Sequence, residues 1–153
     1  MKKLVVLFIA MFTVSLTFAQ TTAKRLVEYN LENKIAIQGY DPVAYFTQKK
    51  AVKGKSELAT TYEGVIYKFA NQTDKDLFAK NPMQYEPQYG GWCSYAMGAK
   101  GEKVEIDPES FKIVEGKLNL FFYAFYNNTL KLWNKDEANL KAKADVNWKK
   151  IIK

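Results

Sequence analysis

Histidine is absent from the 153 residues, and cysteine occurs once, at Cys93. These two shortages exclude more chemistry than any motif present supplies. Without imidazole there is no Ser-His-Asp or Cys-His pair and no imidazole metal ligand. With a single thiol there is no Cys-x-x-Cys redox pair and no disulfide within the chain. Proline is sparse as well: Pro42, Pro82, Pro87 and Pro108 stand singly at turn-like sites. No Pro/Gly/Ser-rich linker, low-complexity tract or repeat of solenoid period divides the sequence, so one domain is expected.

Long hydrophobic runs are missing except at the start. Lys2 and Lys3 precede an apolar stretch, Leu4 to Leu16, broken only by Thr13 and Ser15 and leading into Thr17-Phe18-Ala19-Gln20. A positive n-region, a short apolar h-region and a small residue at the exit are the order of a secretory signal peptide, expected over residues 1–19. The stretch is short for a span of ~20 apolar residues, and no cysteine stands near the cut to carry a lipid. Residues 20–153 are therefore expected to be periplasmic or secreted, with no stable membrane anchor after cleavage. Losing Lys2 and Lys3 lowers the net charge from +7 to +5. The C-terminal lysines are interleaved with Asp136, Glu137 and Asp145, which suits a solvated helix face better than a phosphate track, so no nucleic-acid partner is expected.

Two Glu-Gly pairs sit between matched apolar runs. With Glu115-Gly116 as a two-residue loop, Ile113 falls opposite Leu118 and Phe111 opposite Leu120, while Lys112 and Asn119 point to the other face. With Glu63-Gly64 as the loop, Tyr62 falls opposite Val65, Thr60 opposite Tyr67 and Leu58 opposite Phe69. Between these hairpins Asn71 to Asn81 reads as a short helix capped by Asn71 or Thr73, with Asp74 and Asp76 in its first turn and Leu77 and Phe78 facing inward. Pro82 restarts the chain for one more turn to Tyr85. A Gly90-Gly91 joint then precedes a helix expected to begin near Trp92. Leu140, Ala144, Trp148 and Ile151 form one apolar stripe, expected to dock onto the chain's own sheet.

These segments include Gly39-Tyr40-Asp41-Pro42-Val43-Ala44-Tyr45-Phe46, Tyr67-Lys68-Phe69-Ala70, Asn81-Pro82, Tyr85, Pro87-Gln88-Tyr89-Gly90-Gly91-Trp92-Cys93 and Asp107-Pro108. In this order and spacing they resemble the YHS-domain family, in its exported single-domain branch. The resemblance runs from about Ile35 to Asn127. It implies an α+β fold of small antiparallel hairpins packed against short helices, a treble-clef-like core over residues 35–127, with C-terminal helices over residues 123–152. It also implies a link to copper or heavy-metal handling. Relatives that plainly bind metal place cysteines where this chain has Ala44 and Ala70, so a four-thiolate zinc site is impossible here.

Three readings of Cys93 stand open: a small apolar core residue, a soft-metal ligand, or a reactive thiol. Cys93 and Met97 are one helical turn apart, which would place two sulfurs on one face, a donor set that favours copper as Cu(I). Tyr40, Asp41, Tyr45, Tyr89, Trp92 and Tyr95 belong to motifs that the resemblance brings together. They are candidates to line a ligand pocket of phenols and one acid. The plainer reading is that a chain 15% aromatic needs most of these rings for its core. Asp41 and Asp107 each precede proline, where an aspartate serves a turn, and with Glu109 they lack any accompanying nucleophile or oxyanion feature. The expected function is a non-enzymatic binding protein of the envelope that handles a soft metal. The alternative is a metal-free module that binds a small ligand or an envelope protein partner. Mass spectrometry of the protein recovered from the envelope should find Gln20 or Thr21 at its N-terminus; an intact Met1 would refute cleavage.

Overall fold

The structure is a computed structural model that describes residues 21–153; the expected signal peptide, residues 1–19, lies outside the described residues. The fold is α+β, with small antiparallel sheets and a long C-terminal helix. Helix α1 covers residues 21–28. Strands β1 (Leu31–Glu32) and β2 (Ile35–Ala36) form a tight hairpin, and α2 (Ala44–Thr47) follows. Then come β3 (Lys55–Tyr62), β4 (Val65–Phe69), α3 (Gln72–Lys80), α4 (Pro82–Tyr85) and α5 (Ser94–Ala99). The last part holds β5 (Asp107–Val114), β6 (Lys117–Phe121), β7 (Tyr123–Ala124), β8 (Asn127–Asn128), α6 (Thr129–Trp133) and α7 (Glu137–Ile151). The first sheet has the order β1-β2-β4-β3, with β2 and β4 parallel. The other two sheets are the pairs β5-β6 and β7-β8.

The β5-β6 hairpin has the register expected from its apolar pattern: Ile113 faces Leu118, Phe111 faces Leu120 and Lys112 faces Asn119. At the turn of β3-β4, Tyr62 faces Val65 and Thr60 faces Tyr67, also as expected. In both loops glutamate and glycine take positive φ, 45° and 83° at Glu63-Gly64, 50° and 73° at Glu115-Gly116. That is the left-handed pair a type I′ turn requires, and its twist matches the strands it joins.

Further from the turn the expected register fails. Lys55, not Leu58, faces Phe69, because β3 bulges between Lys55 and Thr60. The cause lies at the strand's start. Gly54 donates its N–H to Gly39 O at 2.9 Å and lies so close to Lys68 that an added Cβ would stand 2.5 Å from the Lys68 carbonyl carbon. This close approach pins Lys55 beside Phe69, and the residues between the pin and the turn buckle outward.

Helix α3 is capped as expected, with Asn71 Oδ1 accepting from the Asp74 N–H at 2.9 Å. Phe78 is buried in the main core with Val43, Tyr45, Tyr67, Phe69, Leu118 and Leu120. The C-terminal helices begin at Thr129 rather than near residue 123, because Tyr123–Asn128 folds back as the β7-β8 hairpin. The α7 stripe docks mainly against α5 and the glycine-rich turn, where Ala144 packs with Met97 and Tyr89 and Trp148 and Ile151 pack beside them, while Leu140 reaches the sheet at Phe121 of β6.

Glycine makes that docking possible. A Cβ at Gly98 would lie 2.4 Å from the Leu140 carbonyl oxygen, a backbone atom of the facing helix that cannot turn aside. Glycine inside a helix is a poor helix former, so its presence on α5 is explained by the helix crossing rather than by propensity. Gly98→Ala should therefore destabilise the protein by roughly 1–3 kcal/mol despite alanine's better helix propensity. Thermal unfolding measures this directly, and an unchanged or raised Tm would show that α5 and α7 are not in close contact.

Candidate functional site

Cys93 is completely buried. The helix starts two residues later than expected, at Ser94, so Cys93 occupies the N-cap with ψ 115° instead of lying inside the helix. This changes where its sulfur goes. The Phe122 N–H donates to Cys93 Sγ at 3.4 Å, and Thr129 Oγ1 lies 3.4 Å from the same sulfur. Thr129 Oγ1 gives its own proton to the Phe122 carbonyl at 2.8 Å. The thiol proton then has Thr129 Oγ1 as its acceptor, and the three groups close a ring of hydrogen bonds.

Met97 is also completely buried, but it packs with Tyr89 and Ala144, whereas Cys93 belongs to the main core around Leu118 and Leu120. One turn of chain joins the two residues, with Met97 N–H donating to Cys93 O at 3.0 Å, yet their side chains serve separate clusters. Among the described residues no group of three or more Cys, Asp and Glu is placed to hold a metal ion.

The candidate pocket residues fall into two neighbourhoods: Tyr40, Asp41, Tyr45 and Tyr95 at the main core, and Tyr89 with Trp92 around Met97. Tyr45 is fully buried, donates to Pro108 O at 2.9 Å and meets Phe111 edge-on at 4.8 Å. Tyr40 lies under the Lys53 ammonium, 4.3 Å from its ring centre. Tyr89 is buried and donates to Asp145 Oδ1 at 2.9 Å. Trp92 Nε1 donates to Glu28 O at 2.7 Å, tying the glycine-rich turn to α1. Tyr95 packs between two core clusters. Among the described pockets, Tyr89 alone of these six residues is a lining residue, of a 180 Å³ recess that also includes Tyr29, Lys117 and Trp148.

Asp41 joins two of the motif segments. Its Oδ1 accepts from Val43 N at 2.8 Å and Ala44 N at 3.3 Å, and its Oδ2 accepts from Ala70 N at 2.8 Å. Ala44 and Ala70 thus both give their N–H groups to this one carboxyl. Burial pushes the Asp41 pKa up to about 6, against the pull of the Ala70 and Val43 N–H groups, and nearby Asp74 raises it further.

Two arrangements were not anticipated from the sequence. The first surrounds Arg25, which is buried on α1. Its guanidinium pairs with Glu86, bonds Tyr29 Oη at 2.9 Å and Tyr67 Oη at 3.5 Å, and lies 3.3 Å from Glu63. It also stacks on Tyr29 at 4.5 Å and Tyr62 at 5.4 Å. The available signal was composition: this is the one arginine among 23 basic residues. A planar fork that both stacks and pairs is the job lysine cannot do.

The second is a 290 Å³ pocket lined by Asn30, Leu31, Glu32, Ile37, Gln38, Glu105 and Ile106. Its floor is apolar, and its rim carries two carboxylates and two amides in a chain whose net charge is positive. Asn30 Nδ2 bonds Glu105 at 3.2 Å, and Gln38 Nε2 donates to Ile106 O at 3.1 Å, which fixes both amides. No periodic pattern marks these residues, because they come from three separate short segments: Asn30 with β1, the turn after β2, and the chain leading into β5.

The raised pKa of Asp41 gives its pH dependence a sign. A carboxyl whose folded value lies above its unfolded value of about 4 supplies stability that is complete at lower pH and is lost as pH rises through about 6. Carboxyl carbon NMR should show Asp41 titrating near 6 and moving lower in Asp74→Asn. A midpoint near 4 in the wild type would contradict the burial argument. No family model, curated protein or solved structure matches this chain.

Proposed function

We propose that the chain is an exported, YHS-like, non-enzymatic binding module of the cell envelope that works without a metal and takes a small amine-bearing ligand. The observation that carries this reading is the hydrogen-bond ring at Cys93. A soft-metal site needs a thiolate with free lone pairs and a second soft donor at hand. Cys93 Sγ instead has a donor and an acceptor of its own, and Met97 packs in another cluster. The junction of Ala44 and Ala70 at Asp41 supports the same choice, since backbone amides and one carboxyl stand where thiols would converge in metal-binding relatives. It also supports the YHS-like arrangement, because it joins two segments that the resemblance expects to meet.

The pocket bounded by Glu32, Glu105, Asn30 and Gln38 offers charge and hydrogen-bond acceptors at its rim and Leu31, Ile37 and Ile106 beneath. A few polar groups over an apolar floor is the usual form of a small-ligand site. Two carboxylates select a cation, and a primary or substituted amine with a short apolar body matches both parts.

Native mass spectrometry of protein recovered from the envelope tests the reading, because it reports any bound mass. An organic adduct is expected that weakens in Glu105→Gln and survives in Cys93→Ser. A copper mass that disappears in Cys93→Ser would overturn the metal-free reading and restore the soft-metal one.

A further inference from the structure

The β7-β8 hairpin turns through Phe125 and Tyr126, whose φ values are 50° and 66°. Two successive left-handed residues make this a type I′ turn, the position that Asn-Gly fills best and that bulky side chains fill at a cost in backbone energy. Nothing among the described residues repays that cost through packing: Phe125 is 97% exposed and Tyr126 100%, with Tyr123 48% exposed just below them. Three aromatic residues therefore stand at a strained, convex tip where the fold alone would favour small polar ones.

Charge identifies what the tip meets. Between Glu115 and Asp136 the sequence contains no acidic residue, while Lys117, Lys131 and Lys135 lie within that stretch. Lys131 sits in the first turn of α6, directly after the hairpin, with its N–H held by Asn128 Oδ1 at 3.1 Å. Lys131 and Lys135 are exposed and have no ion pair among the described residues. Of the acids that border this stretch, Asp136 follows Lys135 and accepts from Asn139 Nδ2 at 2.8 Å, and Glu137 pairs with Lys112; on β5, which lies against β7, Asp107 is engaged with the Glu109 N–H at 2.9 Å, and Glu109 is exposed.

Size completes the argument. Two aromatic side chains offer roughly 300–500 Å² of contact surface, less than the ~800 Å² per partner that a stable protein interface buries. It is enough for an interfacial foothold assisted by lysines, since aromatic rings settle at the headgroup level and basic residues add attraction to anionic lipid. We infer that the Phe125-Tyr126 hairpin is a reversible docking point for an anionic lipid surface, with Lys131 and Lys135 supplying the electrostatic part. This inference is independent of the amine pocket, which is lined by other residues.

Protein recovered from the envelope, its N-terminus read by mass spectrometry, would be sedimented with vesicles of phosphatidylcholine alone and of phosphatidylcholine mixed with phosphatidylglycerol. The wild type should partition onto the anionic vesicles and be released by salt. Replacing the tip by Phe125→Asn with Tyr126→Gly should reduce partitioning about tenfold or more, and Lys131→Glu with Lys135→Glu should weaken it on anionic vesicles alone. Asn-Gly is the preferred type I′ pair, so the tip variant should unfold at the same or a higher temperature, and its loss of binding cannot be a loss of fold. Equal partitioning of the tip variant and the wild type would overturn the inference. Absence of wild-type binding to either vesicle would overturn it too, leaving a concave protein partner as the occupant of the tip.

Discussion

The buried pair of Arg25 and Glu86 ties α1 and the end of α4 to the β3-β4 hairpin. Arg25 comes from α1, Glu86 from the end of α4, Tyr67 from β4 and Tyr62 from β3. Tyr67 Oη also donates to Glu86, so the carboxylate receives a phenol and a guanidinium together. Removing two charges from water costs several kcal/mol per ion unless the geometry and the remaining hydrogen bonds compensate. Here the compensation is nearly complete, with Nε of Arg25 the one buried side-chain polar atom without a partner among the described residues. Burial pushes the Tyr67 phenol well above its ordinary pKa, and the Glu86 charge pushes it the same way, which keeps the phenol protonated as a donor. The cluster also fixes the path of the chain into Gln88–Gly91, and so bears on everything that follows it.

That path explains why the glycine-rich turn is built as it is. Tyr89, Gly90 and Gly91 all have positive φ. A Cβ at Gly90 would stand 2.8 Å from both the Trp148 and Tyr29 rings, so glycine is required by space as well as by φ. Trp148 belongs to α7 and Tyr29 follows α1, so the two ends of the described chain meet over this one turn, at a ring separation of 5.8 Å. Cys93 lies two residues further on and inherits its N-cap position from this joint.

What could be read from the sequence was what short-range chemistry decides. Glu-Gly between matched apolar runs selects the turn and the register next to it, and Asn71 caps α3 by a bond to its own third neighbour. What could not be read depended on distant backbone. The β3 bulge follows from Gly54 lying against Lys68, and the Cys93 orientation follows from a helix that starts at Ser94 rather than Trp92. Spacing placed Cys93 and Met97 one turn apart correctly, but spacing carries no information about ψ at the first of the two. The pocket beside β1 was invisible for a related reason, since Leu31, Ile37 and Ile106 converge without sharing any local period.

Left-handed backbone at non-glycine residues shows how the chain distributes its strain. Each such residue costs on the order of 1–2 kcal/mol, and most at a β-branched side chain. Ile37, at φ 51°, is repaid by almost complete burial in the main core, and Tyr89, at φ 54°, by burial and its bond to Asp145. Glu63 and Glu115 are short-range costs of closing hairpins whose strands pack well. Phe125 and Tyr126 have neither burial nor a long hairpin behind them, since β7 and β8 are two residues each. The strain at Ile37 and Tyr89 is therefore a consequence of folding, whereas at the aromatic tip no packing among the described residues offsets it.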